Sequence, residues 1–159
     1  MRENIKVKPL RFRLLAERFA ITRLDPKTDV PEWALRPATL ASITRTPEEL
    51  SVVCPGSHVP PEVKSDAGWL CLKLEGPFPF SMTGVLASFI NPLSSNRIPI
   101  FAIATFDTDY VLIKQEFWHA ASGALESAGP RCCPDLASRL FHAPAPATVR
   151  PLNLAEHCL

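Results

Sequence analysis

The chain has 159 residues, 47% of them apolar, with a formal net charge of +1. That length suits one ordinary domain or two very small ones sharing a core. The balance of charge does not favour nucleic acid or an anionic membrane, and no apolar run approaches the roughly 20 residues of a membrane span.

Met1-Arg2-Glu3-Asn4-Ile5-Lys6-Val7-Lys8 lacks the apolar h-region of a secretory signal, so a cytoplasmic location with reduced thiols is expected. Leu10–Leu24 splits into two strand-like pieces, the second being Phe19-Ala20-Ile21-Thr22-Arg23-Leu24. Asp25–Asp29 is a loop by composition, and Val30–Leu35 a short helical segment with Pro31 in its first turn and Trp33 as anchor. Thr39–Thr44 and Leu50–Cys54 read as strands about a turn at Pro47-Glu48-Glu49. Pro55–Ser65 is a loop with three prolines and one helical turn at Pro60–Lys64. Trp69–Leu74 reads as a strand buried on both faces.

Glu75-Gly76-Pro77-Phe78-Pro79-Phe80 is a rigid turn, after which Ser81 is an expected N-cap. The helix it opens spans Met82–Asn96 with the apolar stripe Val85, Leu86, Phe89, Ile90 and Leu93, and Pro92 is expected to kink it. Two apolar runs follow, Ile98–Phe106 and Tyr110–Ile113, joined by Asp107-Thr108-Asp109 as the tight turn of a hairpin. Pro99 belongs at the start of its strand. Asp107 and Asp109 can cap turn amides or meet a cationic ligand. Gln115–Ala128 is a second amphipathic helix, buried through Phe117, Trp118, Ala121, Ala124 and Leu125 and ended by Gly129-Pro130. Beyond it the proline-rich residues 131–159 are expected to form a flexible tail, with a short strand or helix near Cys132–Leu140.

Adding 60 to the residue number lays Ser42–Val53 on Ala102–Ile113, each a strand, an acidic turn and a strand. Phe19–Leu24 and Trp69–Leu74 each precede a turn and a helix start. Both halves then read β-α-β-β-α-β, the ferredoxin-like unit, with stunted helices in the first half. The expected fold class is α+β: two such units in tandem, over residues 10–65 and 66–130, each an antiparallel sheet with helices on one face.

The helix opening Phe80-Ser81-Met82-Thr83-Gly84-Val85-Leu86-Ala87, with the hairpin Ile100–Leu112, resembles ACT domains. The resemblance is closest to small tandem ACT proteins related to the cytosolic arginine sensor and to the regulatory halves of aspartate kinases. It covers about Leu10–Gly129 and implies a switch that binds a free amino acid at an interface between ACT units. The ligand-binding residues it implies are Ser81, Met82, Thr83, Gly84 and Val85 at the helix opening, Ile98 and Ile100, and Thr105, Phe106 and Asp109 on the hairpin. Physical chemistry agrees: helix N-terminal amides suit an α-carboxylate, and an acidic side chain opposite suits an ammonium or guanidinium. Met82 stands where the arginine-sensing relatives carry a second acid, which points to a less basic or more apolar ligand. Each residue has a plainer reading as well: Gly84 as a packing glycine, Phe106 as core, Ser81 and Thr83 as caps.

No catalytic constellation emerges. His58, His119, His142 and His157 pair with no nucleophile by any motif, and neither G-x-S-x-G, a P-loop nor G-x-G-x-x-G occurs. The five cysteines, Cys54, Cys71, Cys132, Cys133 and Cys158, lack a C-x-x-C pair, so no metal or cofactor is expected, and Cys54 and Cys71 read as small core residues. The expected function is a non-catalytic amino-acid sensor that signals to a protein partner and forms a homodimer. The alternative is a structural or interaction dimer with a vestigial pocket.

Overall fold

The computed structural model describes residues 9–133. In chain order the elements are β1 (Arg11–Leu14), β2 (Phe19–Leu24), β3 (Ser42–Arg45), β4 (Leu50–Pro55), β5 (Ser65–Leu74), α1 (Val85–Ser95), β6 (Ile100–Ala104), β7 (Asp109–Lys114), α2 (Trp118–Ala128) and β8 (Arg131–Cys132). The strands join in one eight-stranded sheet. With α1 and α2 they make a mixed α+β fold.

Strand β5 is the spine. Its first half pairs antiparallel with β2 (Phe19 opposite Trp69, Thr22 opposite Ser65), and its second half with β1 (Leu14 opposite Leu72, Phe12 opposite Leu74). β1 and β2 are thus one broken strand lying along the same edge of β5, with a register shift between Phe19 and Ile21. The other edge of β5 takes β7, which carries β6. Across the first half the order is β5-β2-β4-β3, and across the second it is β1-β5-β7-β6.

Alternation along the strands sorts side chains between two faces. Leu70, Leu72, Leu74, Val111 and Ile113 pack against Phe89 and Leu93 of α1 and Ala121 and Leu125 of α2. Phe12 of β1 meets Phe89 edge-on with ring centroids 5.2 Å apart. On the other face Trp69, Cys71 and Leu112 pack with Leu15, Phe19, Leu40 and Val53, without a helix. In the first half a 3₁₀ turn, Glu32–Leu35, stands where a helix would cover the sheet, and its Ala34 packs on Leu50, Val52 and Cys54.

Several sequence expectations need correction. α1 begins at Val85, not Met82, because Gly84 sits in the left-handed region (φ 79°) as the N-cap residue. Ser81 therefore lies outside the helix and caps nothing. β5 starts four residues before Trp69, because its first half has β2 to pair with. At Pro60–Lys64 the expected helical turn is a single hydrogen-bonded turn, Val63 N–H donating to the Pro60 carbonyl at 3.0 Å, and a 3₁₀ turn stands earlier, at Gly56–His58. The hairpin turn is Thr105–Thr108, closed by Thr105 N–H donating to the Thr108 carbonyl at 2.9 Å, and Asp109 already belongs to β7. Gln115–Phe117 is a 3₁₀ turn leading into α2. The expected tail lies outside the described residues from 134 onward, and Arg131–Cys132 pairs parallel with β1.

The two strand–turn–strand segments correspond with an offset of 59 residues, not 60. Thr46 N–H donates to the Glu49 carbonyl as Thr105 N–H does to that of Thr108, an offset of 59. Under an offset of 60, Leu50, which faces the helix side, would fall on Tyr110, which faces the other. A one-residue slip moves every side chain across the sheet. The corrected register sets Asp109 against Leu50.

Candidate functional site

The segment from Leu74 to Gly84 folds back against the β6–β7 turn. Thr108, only 7% exposed, donates its hydroxyl to the Leu74 carbonyl at 2.7 Å. Phe78 N–H donates to the Asp107 carbonyl at 2.8 Å. Gly76 is needed for this approach: a Cβ there would lie 2.6 Å from the Asp107 carbonyl oxygen. Met82 N–H then donates to the Pro79 carbonyl at 2.8 Å, turning the chain into α1.

α1 opens without a side-chain cap, so its first amides are not answered by a neighbouring hydroxyl or carboxylate. Gly84 serves conformation, not packing. Its φ favours glycine, yet a Cβ there would meet nothing within 4 Å.

A crevice of about 310 Å³ lies between this helix opening and the hairpin turn. Met82, Gly84, Val85 and Leu86 line one side, Thr105, Phe106, Asp107 and Asp109 the other, with Phe80 exposed beside Phe106 and Phe78 behind, packed on the core. No lysine or arginine lines it. The Asp109 carboxylate is half-buried and has no hydrogen-bond or ion-pair partner among the described residues. At the matching place in the first half, Leu50 is fully buried against Ala34 and Trp33. A leucine fills in one half the space that a carboxylate borders in the other.

Phe80 and Phe106 stand edge to face with centroids 5.0 Å apart, at 79% and 77% exposure, and Met82 is 52% exposed. These are three of the five large apolar side chains exposed among the described residues. Phe106 is thus not core.

Of the residues singled out from the sequence, Met82, Gly84, Val85, Thr105, Phe106 and Asp109 meet in this crevice. Thr83 lines a neighbouring crevice of about 940 Å³ on the other side of the helix tip, toward Arg11, Glu75 and the end of α2. Ser81 is exposed in the turn before the helix. Ile98 and Ile100 are not brought here: they sit at the opposite end of α1, beside Ile90 and Arg97. Sequence reasoning left out Phe78, Phe80 and Leu86, and gave Asp107 only as a carboxylate that can cap turn amides or meet a cationic ligand. The alternation of proline and phenylalanine before the helix was the available signal: Phe78 packs against the core under α1 and α2, and Phe80 stays exposed.

Glu75, at the foot of this segment, takes a bidentate hydrogen bond from Arg13 (2.6 and 3.0 Å), which holds its carboxyl below the usual range. Burial drives the Cys71 thiol up to about 12. Among the described residues no group of three or more His, Cys, Asp and Glu gathers as a metal site, and no helix is long and apolar enough to cross a membrane.

Comparison with known proteins agrees with this architecture. A family model described as ACT domain matches residues 64–127, and a second, described only as an N-terminal domain, matches 17–62. The crystal structure of a protein from Agobacterium tumefaciens is similar at 36% identity and a TM-score of 0.75, covering 81% of this chain and 96% of its own. A Vibrio cholerae protein of unknown function, described as a possible transport protein, superposes with a TM-score of 0.61 at 17% identity, over 76% of this chain and 90% of its own. The regulatory subunit of aspartate kinase from Thermus flavus gives 0.52 at 15% identity, over 76% and 99%. At such identities the last two speak for the fold alone. No curated protein matches the chain. The β5–α1–β6–β7–α2 segment is thus matched as an ACT domain over residues 64–127, and the chain carries an ACT domain on a fold shared with aspartate kinase regulatory subunits.

Proposed function

We propose that the protein is a non-catalytic regulatory module that binds a free amino acid in the crevice between the opening of α1 and the β6–β7 turn. The observation that carries this reading is Asp109: a half-buried, unpartnered carboxylate bordering a crevice where the other half of the fold has a buried leucine. A carboxylate at such a rim, without a partner among the described residues, is placed to meet a cation that arrives with a ligand. The uncapped amides of Val85 and Leu86 face the other pole of a zwitterion. Asp109 then holds the α-ammonium, the helix tip holds the α-carboxylate, and Met82, Thr105 and Phe106 surround what lies between.

The fold reads as two ferredoxin-like units in tandem, over about residues 10–65 and 66–130. Counting strands within each β-α-β-β-α-β unit, both halves of the sheet run fourth, first, third, second, provided β5 serves both units and β1 supplies the fourth strand of the second. The ligand site lies at an interface between ACT units, which a second copy of the chain completes. A homodimer is supported by β6, an edge strand of sequence Ile-Phe-Ala-Ile-Ala with no charged residue. The same edge favours the alternative reading, an interaction dimer with a vestigial pocket. Among the described residues Cys54, Cys71, Cys132 and Cys133 are free thiols, which fits a reducing cytoplasm.

Thermal unfolding with each of the twenty amino acids separates the two readings. A ligand at about 100 times its Kd adds roughly 2.7 kcal/mol, a shift of several degrees for a chain of this size. At least one amino acid should produce it at millimolar concentration. If none does, the sensor reading fails.

A further inference from the structure

The helix tip and Asp109 treat all amino acids alike, since every one carries an α-carboxylate and an α-ammonium. Selection must come from what surrounds the side chain. Here the walls are Phe80, Phe106 and Met82, all exposed, with Phe78 behind them. Exposed aromatic pairs are uncommon on a soluble surface unless something covers them. This pair does not answer a neighbouring core. Phe80 and Phe106 come from separate segments, the loop before α1 and the hairpin turn, and they touch only because Phe78 N–H and Thr108 Oγ1 staple those segments together.

Charge and size narrow the occupant. The crevice is bordered by two carboxylates, Asp107 and Asp109, and by no lysine or arginine, so it favours one positive group and offers no partner for an acidic side chain. Its 310 Å³ lies at the small end of ligand sites. Asp107 is exposed, where a second cation would gain little from it.

We infer that the ligand is an amino acid with an apolar side chain, of the leucine, methionine or phenylalanine class, lying against the joined rings of Phe80 and Phe106. The inference rests on the amino-acid reading above and names the class of ligand within it. The aromatic edges and the Met82 thioether supply contact area and soft sulfur–aromatic contacts, and Asp109 supplies the counter-charge for the α-ammonium. Arginine and lysine would gain cation–π contact with the rings, but Asp109 is taken by the α-ammonium and the exposed Asp107 adds little for a distal cation, so an apolar side chain covers the rings at a smaller desolvation cost.

The test uses the full chain and isothermal calorimetry with L-phenylalanine, L-leucine, L-methionine, L-arginine, L-lysine and N-acetyl-L-phenylalanine. At least one of the three apolar amino acids should bind tenfold or more tightly than arginine and lysine, and acetylation of the α-amine should abolish binding. Phe106→Ala and Phe80→Ala should each weaken the apolar ligand about tenfold, and Phe106→Leu should restore most of it. Both phenylalanines are exposed, so the alanine variants should melt with the wild type. Tighter binding of arginine or lysine would overturn the inference and leave the amino-acid reading standing. Alanine variants that bind the apolar ligand within twofold of wild type would also overturn it. So would variants that turn a dimer into a monomer in sedimentation without changing affinity, since the pair would then be a contact between copies. Absence of binding by any of the twenty amino acids would overturn the inference and the reading beneath it together.

Discussion

At the scale of single residues, Asp109 is distinguished by the position it occupies. A carboxylate and a leucine take matching places in the two halves of the sheet, and only the leucine is covered. Replacing Asp109 by leucine should therefore leave the protein at least as stable as wild type in urea while abolishing amino-acid binding. The reverse change, Leu50→Asp, would bury an unpaired charge and should cost upward of about 3 kcal/mol. Glu75 makes a second prediction. Its hydrogen bond from Arg13 depresses its folded pKa, so the pair contributes stability above the unfolded value of about 4.3 and loses it as pH falls through the lower folded value. Because both side chains are partly solvated, the loss is at most about 1 kcal/mol. Urea midpoints at pH 7 and pH 3 should differ less in Glu75→Gln than in wild type.

At the scale of elements, α1 joins core to site. Its inner face, Phe89 and Leu93, is fully buried, and Phe89→Ala should destabilise the protein by about 3–5 kcal/mol through the cavity it leaves. Its first residue depends on a backbone turn that only Gly84 makes cheaply. Gly84→Ala should cost about 1–2 kcal/mol from the left-handed conformation alone, and should weaken binding because the first amides would move. The inner stripe of α1 was legible in the sequence, since its helical spacing is set by burial. The start of the helix was not: a serine at a plausible N-cap outweighed a glycine three residues later whose left-handed φ decides the matter. The hairpin was likewise legible as two strand-forming runs. Its turn was misread by one residue because acidic side chains look alike in a loop, whereas the hydrogen bond from Thr105 to the Thr108 carbonyl fixes which of them enters β7.

At the scale of the whole molecule, the two halves are not separate bodies in contact. They share β5, and a segment from the start of the chain, β1, lies beside the second half of that strand. Repetition in the sequence could reveal the order of elements, but strand sharing depends on pairings across some 60 residues (Phe12 with Leu74) that no local pattern encodes. The same holds for the site. Helix opening and hairpin were legible as its parts, while the aromatic entry and the distance of Ile98 and Ile100 from it follow from how the chain closes. Transverse NMR mapping tests the account most directly: amide shifts of the ¹⁵N-labelled full chain titrated with the amino acid that raises its melting temperature most. Perturbations concentrated at Gly84–Leu86 and at Thr105–Asp109, and lost in Asp109→Asn, are the predicted result. Perturbations centred on Ile98–Ile100 or on the helix-free face of the sheet, or an unchanged pattern in Asp109→Asn, would contradict it.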